Sequence, residues 1–560
     1  MDVLRRHFQS CKQRGSSRIP SAGKRGRKRK ACDACVDHRT QCDGEIPCET
    51  CLQRRSTCSL SHTKEQCGKS GCNRDEQEKP KYTNINKIPI HFLLNFSDPG
   101  TKTLYDFQQV LTGCDKGLGE DAQMPCSDNS KEPWMGLFHL FINTTELDRS
   151  NSDQCHLYGL ADREELCNTI SRVLRLMKPT FEPQINNRRQ STMDEAAHFF
   201  SPTNVTLFVS TFFEKSHKNS RFIHKASFNI HTISAQLLLT IVLMSATCVS
   251  PEDASTAERY SDIAENLIFD GLEFGQILNA DSPLLTKANM EILQAAMLIT
   301  VIQWSRHNVS IKRRIRTRRF PALVCAARAL RLTQAINDTV RNPESLELDS
   351  YFHKESLVRT MSWIYLMDAH LVIYYRSPPQ FKIAEACFGV PQNEELYDTM
   401  EPITWLNAPQ DATGDGLTLP LKLFIQLLMD RDVGSFEGQL SRPCTFFSLF
   451  LLLGSLHCIL FEFQALRTCV DVSGPLGCLD VALDRWKKMW DLSYMIVLPS
   501  DIRQSGFMVH ALELWWVAKK LVQNPSGIYP ETGLAVDSLS AFHEMFKALK
   551  GSDPTQRGEL

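Results

Sequence analysis

From about Ser201 to the last residues, apolar side chains recur at helical intervals and almost never alternate as strands do. Ile292, Ala295, Ala296, Ile299 and Ile302 repeat at threes and fours, and so do Leu357, Met361, Ile364, Leu371 and Tyr375 with one gap. Leu237, Leu238, Ile241, Val242, Ser245 and Ala246 fall in a stretch apolar on every side, which predicts a helix buried all round. Ser201-Pro202 reads as a helix start, a capping hydroxyl followed by proline at the first helical position. Shorter helical patterns stand around Trp134 to Leu147 and Glu164 to Met177. The fold class expected is therefore mostly all-α. No repeat of 20–50 residues and no sustained heptad is present, so neither a solenoid nor a long coiled coil is expected.

Two uncharged runs, Ala226 to Pro251 and Pro443 to Phe461, reach bilayer length. Polar residues break both: Asn229, His231, Ser234 and Gln236 in the first, Thr445, Ser448, Ser455 and His457 in the second. Both are expected to be buried helices, with no membrane partner. Met1 to Ser10 lacks the apolar core of a secretory signal. The arm is Arg-rich like a mitochondrial leader, a reading that the cysteines downstream displace.

The 560 residues carry 63 Lys+Arg against 64 Asp+Glu, but the charge is unevenly spread. Residues 1–66 hold 15 basic and 7 acidic side chains, so the remainder is net acidic. A basic head on an acidic body points to a polyanionic partner for the head. Met1 to Ala31 has 11 basic residues and one acid, Asp2, and is expected to be disordered alone. The 20 cysteines, in a reducing compartment, suggest metal thiolates before disulfides.

Six of them, Cys32, Cys35, Cys42, Cys48, Cys51 and Cys58, follow the spacing C-x2-C-x6-C-x5-C-x2-C-x6-C. Moving the first three by 16 positions lays them on the last three, and His38-Arg39 falls on Arg54-Arg55. Two equivalent half-sites follow. Zinc takes four ligands, so six thiolates satisfy two ions only if two of them bridge. One zinc held in a ribbon is the other arrangement, and it leaves Cys42 and Cys58 idle at matching offsets. A segment of ~30 residues buries too little apolar surface to fold unaided, so metal would supply its folding energy. Cys67, Cys72 and nearby His62 are read as surface groups rather than a third site, and Cys248, Cys325 and Cys458 as small core residues.

At these positions the sequence resembles the fungal binuclear zinc-cluster transcription factors, and Asp33, Cys42-Asp43-Gly44 and Pro47-Cys48 resemble them too. The resemblance implies that Cys32 and Cys48 bridge, that Cys35 and Cys42 complete one zinc site and that Cys51 and Cys58 complete the other. It implies a short helix after each C-x2-C, the first entering the DNA major groove at a GC-rich, CGG-like triplet. Between Cys35 and Cys42 the family usually has several Lys/Arg; here the segment is Val36-Asp37-His38-Arg39-Thr40-Gln41. Arg39 stands where the family's base-reading lysine does, and an arginine can bond guanine O6 and N7 together. His38 and Gln41 flank it. From Cys32 to Cys58 there are 3 Lys+Arg against 5 Asp+Glu, so phosphate attraction falls to Lys24, Arg25, Arg27, Lys28, Arg29 and Lys30, which also suit a nuclear-import signal.

The body resembles the middle homology region of the same transcription factors. The resemblance rests on Phe222-Ile223-His224-Lys225-Ala226-Ser227-Phe228, then Trp363-Ile364-Tyr365-Leu366-Met367-Asp368, Arg376-Ser377-Pro378-Pro379, Val390-Pro391 and Trp405. It implies an all-helical regulatory domain open to a small-molecule effector. Asp368 lies on an apolar stripe and must find a donor; a buried ion pair or a neighbouring helix end is expected, and His224 is expected to be a satisfied core histidine. Arg306 to Arg319, with seven Lys/Arg, is expected to be a solvated loop before a helix from Leu323 to Leu332. Glu120, Asp121, Asp128, Trp134 and Phe138 mix acids with aromatics, as coactivator-binding segments do.

The expected plan is an arm (1–23), a two-zinc cluster domain (24–62), a linker with isolated helices (63–195), a helical regulatory domain (196–470) and a helical extension (471–560). The expected function is a nuclear, zinc-dependent, sequence-specific regulator of RNA polymerase II transcription. Its partners would be double-stranded DNA, transcription machinery or coactivators, and a second copy joined through the body. The alternative is a co-regulator whose low-charge cluster binds protein rather than DNA. No catalytic motif is present, and an enzyme is not expected.

Overall fold

Ser201, Ser234, Ser250, Thr286, Asn308 and Thr445 each precede a helix, and each side chain accepts a backbone N–H of the first helical turn. Caps of this kind are worth roughly 1 kcal/mol each and fix where a helix begins. They set the boundaries in the computed structural model of the chain. The structure describes residues 40, 50–51, 54, 91–97, 163–178, 186–306, 308–339, 348–392, 394–398, 419–431, 444–467, 469–496, 506–524 and 539–552. They divide between two units, Met1–Gln77 and Glu78–Leu560.

Among the described residues of the first unit, Thr50 and Cys51 begin a helical turn, in which Arg54 N–H donates to Thr50 O at 3.2 Å. Cys51 is buried, and Arg54 is exposed.

The second unit is built of helices, and among the described residues no strand occurs, only an isolated bridge between Gly389 and Pro420. The first helices are α1 (His91–Ser97), α2 (Arg163–Met177), α3 (Asn186–Phe199), α4 (Pro202–Thr211), α5 (His217–Ser220) and α6 (Ala235–Ala246). Next come α7 (Pro251–Phe269), α8 (Leu272–Asn279), α9 (Lys287–Ser305), α10 (Val309–Arg314), α11 (Phe320–Ala329) and α12 (Leu348–Tyr375). The last are α13 (Glu394–Asp398), α14 (Leu421–Met429), α15 (Phe446–Leu466), α16 (Ser473–Ile496), α17 (Ala511–Gln523) and α18 (Ser540–Ser552).

α6 packs on α9, α7, α4 and α2, and α12 packs on α15, which in turn meets α16 and α17. One apolar core runs through these contacts, from Phe92 to Leu549. α6 is buried from Gln236 to Ala246, as its all-round apolar pattern requires, and α9 is buried from Met290 to Trp304 although its pattern marks only one stripe. α15, an uncharged run long enough to cross a bilayer, is buried from Phe446 to Leu460 inside this core. It can lie close to α12 because Gly454 has no side chain: a Cβ there would sit 3.2 Å from both Ala369 Cβ and Leu366 Cδ2.

Three expectations change. Arg306–Arg319 is not a solvated loop: α10 and a π turn at Ile315–Arg319 carry it into α11. That helix ends at Ala329 rather than Leu332, because Arg331 takes a left-handed φ of 57° and a 3-10 turn follows. Cys458 is buried as expected, but Cys248 is half-buried and Cys325 is exposed, since an apolar run leaves one helix face for solvent.

Candidate metal centre and the charged anchors of the body

Of the six spaced cysteines the structure describes Cys51, 2 % exposed on its helical turn. Cys32, Cys35, Cys42, Cys48 and Cys58 lie outside the described residues, as do Arg39, His38, Gln41 and Lys24 to Lys30. Cys67, Cys72, His62, Trp405 and the stretch from Glu120 to Phe138 lie outside them too. Among the described residues no other group of His, Cys, Asp or Glu could hold a metal ion. The donor set is six thiols with no imidazole among them, the soft ligands that tetrahedral zinc accepts. A buried cysteine at the start of a helical turn suits such a ligand. The residues fit zinc, and bound metal would supply the cross-links that replace an apolar core.

In the body, Arg306, Arg314 and Arg319 of the basic run pair with internal carboxylates, while Arg313 and Arg318 face solvent. Glu265 on α7, its side chain fully buried, accepts from Gln303 Nε2 at 2.7 Å, Arg314 at 2.7 and 2.8 Å and Arg319 Nε at 2.8 Å. Arg306 reaches Glu258 and Asp262, Arg314 also reaches Asp262, and Arg319 closes on Asp270 at 2.6 Å. Burial pushes the Asp262 pKa up, but donors from Gln303, Arg306 and Arg314 outweigh it and hold the carboxyl below its usual range. The guanidinium of Arg319 lowers Asp270 likewise. Arg314 and Arg319 lie five apart, on different faces of a regular α-helix; the π turn between them brings both to one carboxylate.

A second anchor joins two loops and α13 to α12. Glu355 and Arg359, both fully buried, pair at 2.9 Å. Glu355 also accepts from Gln392 N at 2.8 Å and Asn337 Nδ2 at 3.1 Å, while Arg359 donates to Gln392 O and lies 4.4 Å over the Tyr397 ring. Neither was singled out from sequence, although two opposite charges four apart inside an apolar helix were a visible signal.

Asp368, 2 % exposed, accepts the N–H groups of Gln380 and Phe381, each at 2.8 Å. It holds the turn after Pro378-Pro379 rather than pairing with a charge. Burial raises its pKa to about 7 against the pull of those two bonds. His224 stacks on Phe352 at 3.9 Å and meets Ser227 Oγ at 2.9 Å; burial lowers its pKa to about 4. His224 is thus a core histidine whose Nδ1 has a partner, and Nε2 is left without a hydrogen bond.

With this geometry in place, comparisons with known proteins define the class. Residues 30–67 match the fungal Zn(2)-Cys(6) binuclear cluster domain, and residues 209–404, from the end of α4 past α13, match the fungal specific transcription factor domain. The chain thus carries two domains of the kind found in fungal zinc-cluster transcription factors, and together they support a zinc- and DNA-binding role in transcription regulation. It is similar to transcription factor verF of Penicillium polonicum, 22% identical over an alignment of 642 residues that covers 92% of this chain and 84% of the relative. No solved structure matches it.

Proposed function

We propose that the cluster, at residues 24–62, holds two zinc ions and reads a GC-rich, CGG-like triplet in the nucleus to regulate RNA polymerase II transcription. The observation that carries this is the doubled C-x2-C-x6-C spacing within the residues matching the cluster domain. Cys32 and Cys48 bridge, Cys35 and Cys42 complete one site, and Cys51 and Cys58 complete the other. Arg39, with His38 and Gln41 beside it, faces base edges, and Lys24 to Lys30 neutralise phosphates. The body (196–470) with its extension (471–560) sets activity, offers the surface for a second copy and for coactivators, and takes a small-molecule effector.

Metal analysis of the purified chain is expected to give two zinc ions, and chelation to abolish DNA binding while the helical body stays folded. One ion, with Cys42 and Cys58 freely alkylated, would refute the binuclear arrangement.

The division of labour between helix and arm is tested by affinity against salt. Arg39→Ala is expected to cost about 1–3 kcal/mol on the triplet and little on random duplex. Neutralising three arm residues should weaken both duplexes alike and flatten the salt slope by roughly 0.9 per lost phosphate contact. A second reading, a cluster that binds protein, is favoured by its 3 Lys+Arg against 5 Asp+Glu; the full chain failing to prefer the triplet over random duplex would select it.

A further inference from the structure

α1 lies in what sequence alone marks as linker, 32 residues (59–90) beyond Cys58, and is only seven residues long. Isolated helices shorter than ~12–15 residues are marginal in water, so α1 owes its form to what it packs on. That surface comes from the other end of the chain. Glu513, on α17, accepts from Phe92 N at 3.2 Å and Leu93 N at 2.7 Å. Phe92 stacks flat on His510 at 3.7 Å and meets Phe507 edge-on at 5.1 Å. Ser97, fully buried, contacts His543 Nδ1 of α18 at 2.9 Å.

Two features mark this seat as made for α1. The Glu513 side chain is 7 % exposed, and among the described residues the donors that reach it, apart from His510 at 3.8 Å, belong to α1. A carboxylate so placed is poorly satisfied until α1 arrives. Phe92 and Leu93 in turn are 4 % and 0 % exposed, and both become wet when α1 leaves. Each surface is therefore completed by the other, and α1 is shorter than the two helices it packs on, of 13 residues each.

We propose that α1 is an intrachain latch: the C-terminal layer of α17, α18 and Phe507 holds the chain leaving the zinc cluster, and α1 opens locally while the body stays folded. Closed, α1 fixes the chain at a point 32 residues (59–90) after Cys58; open, that point is released. The latch thereby decides whether the chain is held at that point. Its existence does not depend on what the cluster binds; its bearing on DNA reading rests on the function proposed above.

Hydrogen exchange on the full, zinc-loaded chain without DNA tests it. The amides of Leu93–Ser97 are expected to be protected, yet to exchange at least ~100-fold faster than those of Leu449–Leu460 in α15, the mark of a local opening. Glu513→Ala and Phe92→Ala, one on each surface, should each abolish protection of α1 and leave that of α15 unchanged. Three results would overturn the proposal: α1 exchanging as slowly as α15, α1 unprotected in the wild-type chain, or either variant unfolding α15 together with α1.

Discussion

Acidification from about pH 7 to pH 5 is expected to destabilise the helical body by roughly 5 kcal/mol, a large share of the stability of any domain. The cause is a set of histidines held neutral by burial. Desolvation lowers the pKa of His217 and His370 to about 3, and of His224 and His457 to about 4. The direction follows from linkage. A histidine whose pKa is depressed by folding takes up its proton near pH 6.5 only in the unfolded chain, so stability is lost as pH falls below that value. Over this interval each of the four contributes roughly 2 kcal/mol of loss.

Asp368 acts in the opposite sense. Its carboxyl, raised to about 7, is protonated in the folded chain before the unfolded one, so stability is gained as pH falls through that range. It returns roughly 2 kcal/mol. Urea titrations followed by tryptophan fluorescence measure the net effect, since all eight tryptophans lie beyond residue 77 and report the second unit. An unfolding midpoint equal at the two pH values would contradict the assignment. His370→Leu should remove about a quarter of the histidine contribution.

Breaking the pair between Glu355 and Arg359 should cost about 3–5 kcal/mol, because Glu355→Ala leaves a guanidinium buried without its counter-charge. The same change strips acceptors from Gln392 N and Asn337 Nδ2, loosening two loops from α12. Replacing both partners, Glu355→Leu with Arg359→Met, should recover most of the loss, since neither charge is then desolvated. Denaturant unfolding of the two single variants and the double variant gives the coupling directly. A single-variant cost under about 1 kcal/mol would mean that water reaches the pair.

The helical class was legible because apolar spacing along one segment decides whether that segment can bury a stripe, and this is local information. Ser201-Pro202 and the all-apolar stretch of α6 read correctly for that reason. The cluster domain was legible because the cysteine spacing that marks it falls within thirty residues. Partners distant in sequence were not. Arg314 and Arg319 meet Glu265 across about fifty positions, and the basic run therefore read as a solvated loop. Asp368 was expected to meet a charge or a helix end, and it instead binds two backbone N–H groups of the turn that follows its own helix. Glu513 gave no sign at all, since the donors it accepts from are backbone N–H groups, identical at every position of every sequence.

The bond from Leu93 to Glu513 spans 420 residues, nearly the whole body. A ribosome adding about 5–20 residues per second needs roughly 20–80 s to make the second half of that contact after the first has emerged. During this interval the cluster's cysteines are already outside and able to take up zinc, while Phe92 and Leu93 have no seat. Every newly made molecule thus passes through a stage in which its metal-binding end is complete and its own hold on that end does not yet exist. For a time its latch has no seat, and a chaperone that covers Phe92 and Leu93 has that window in which to act.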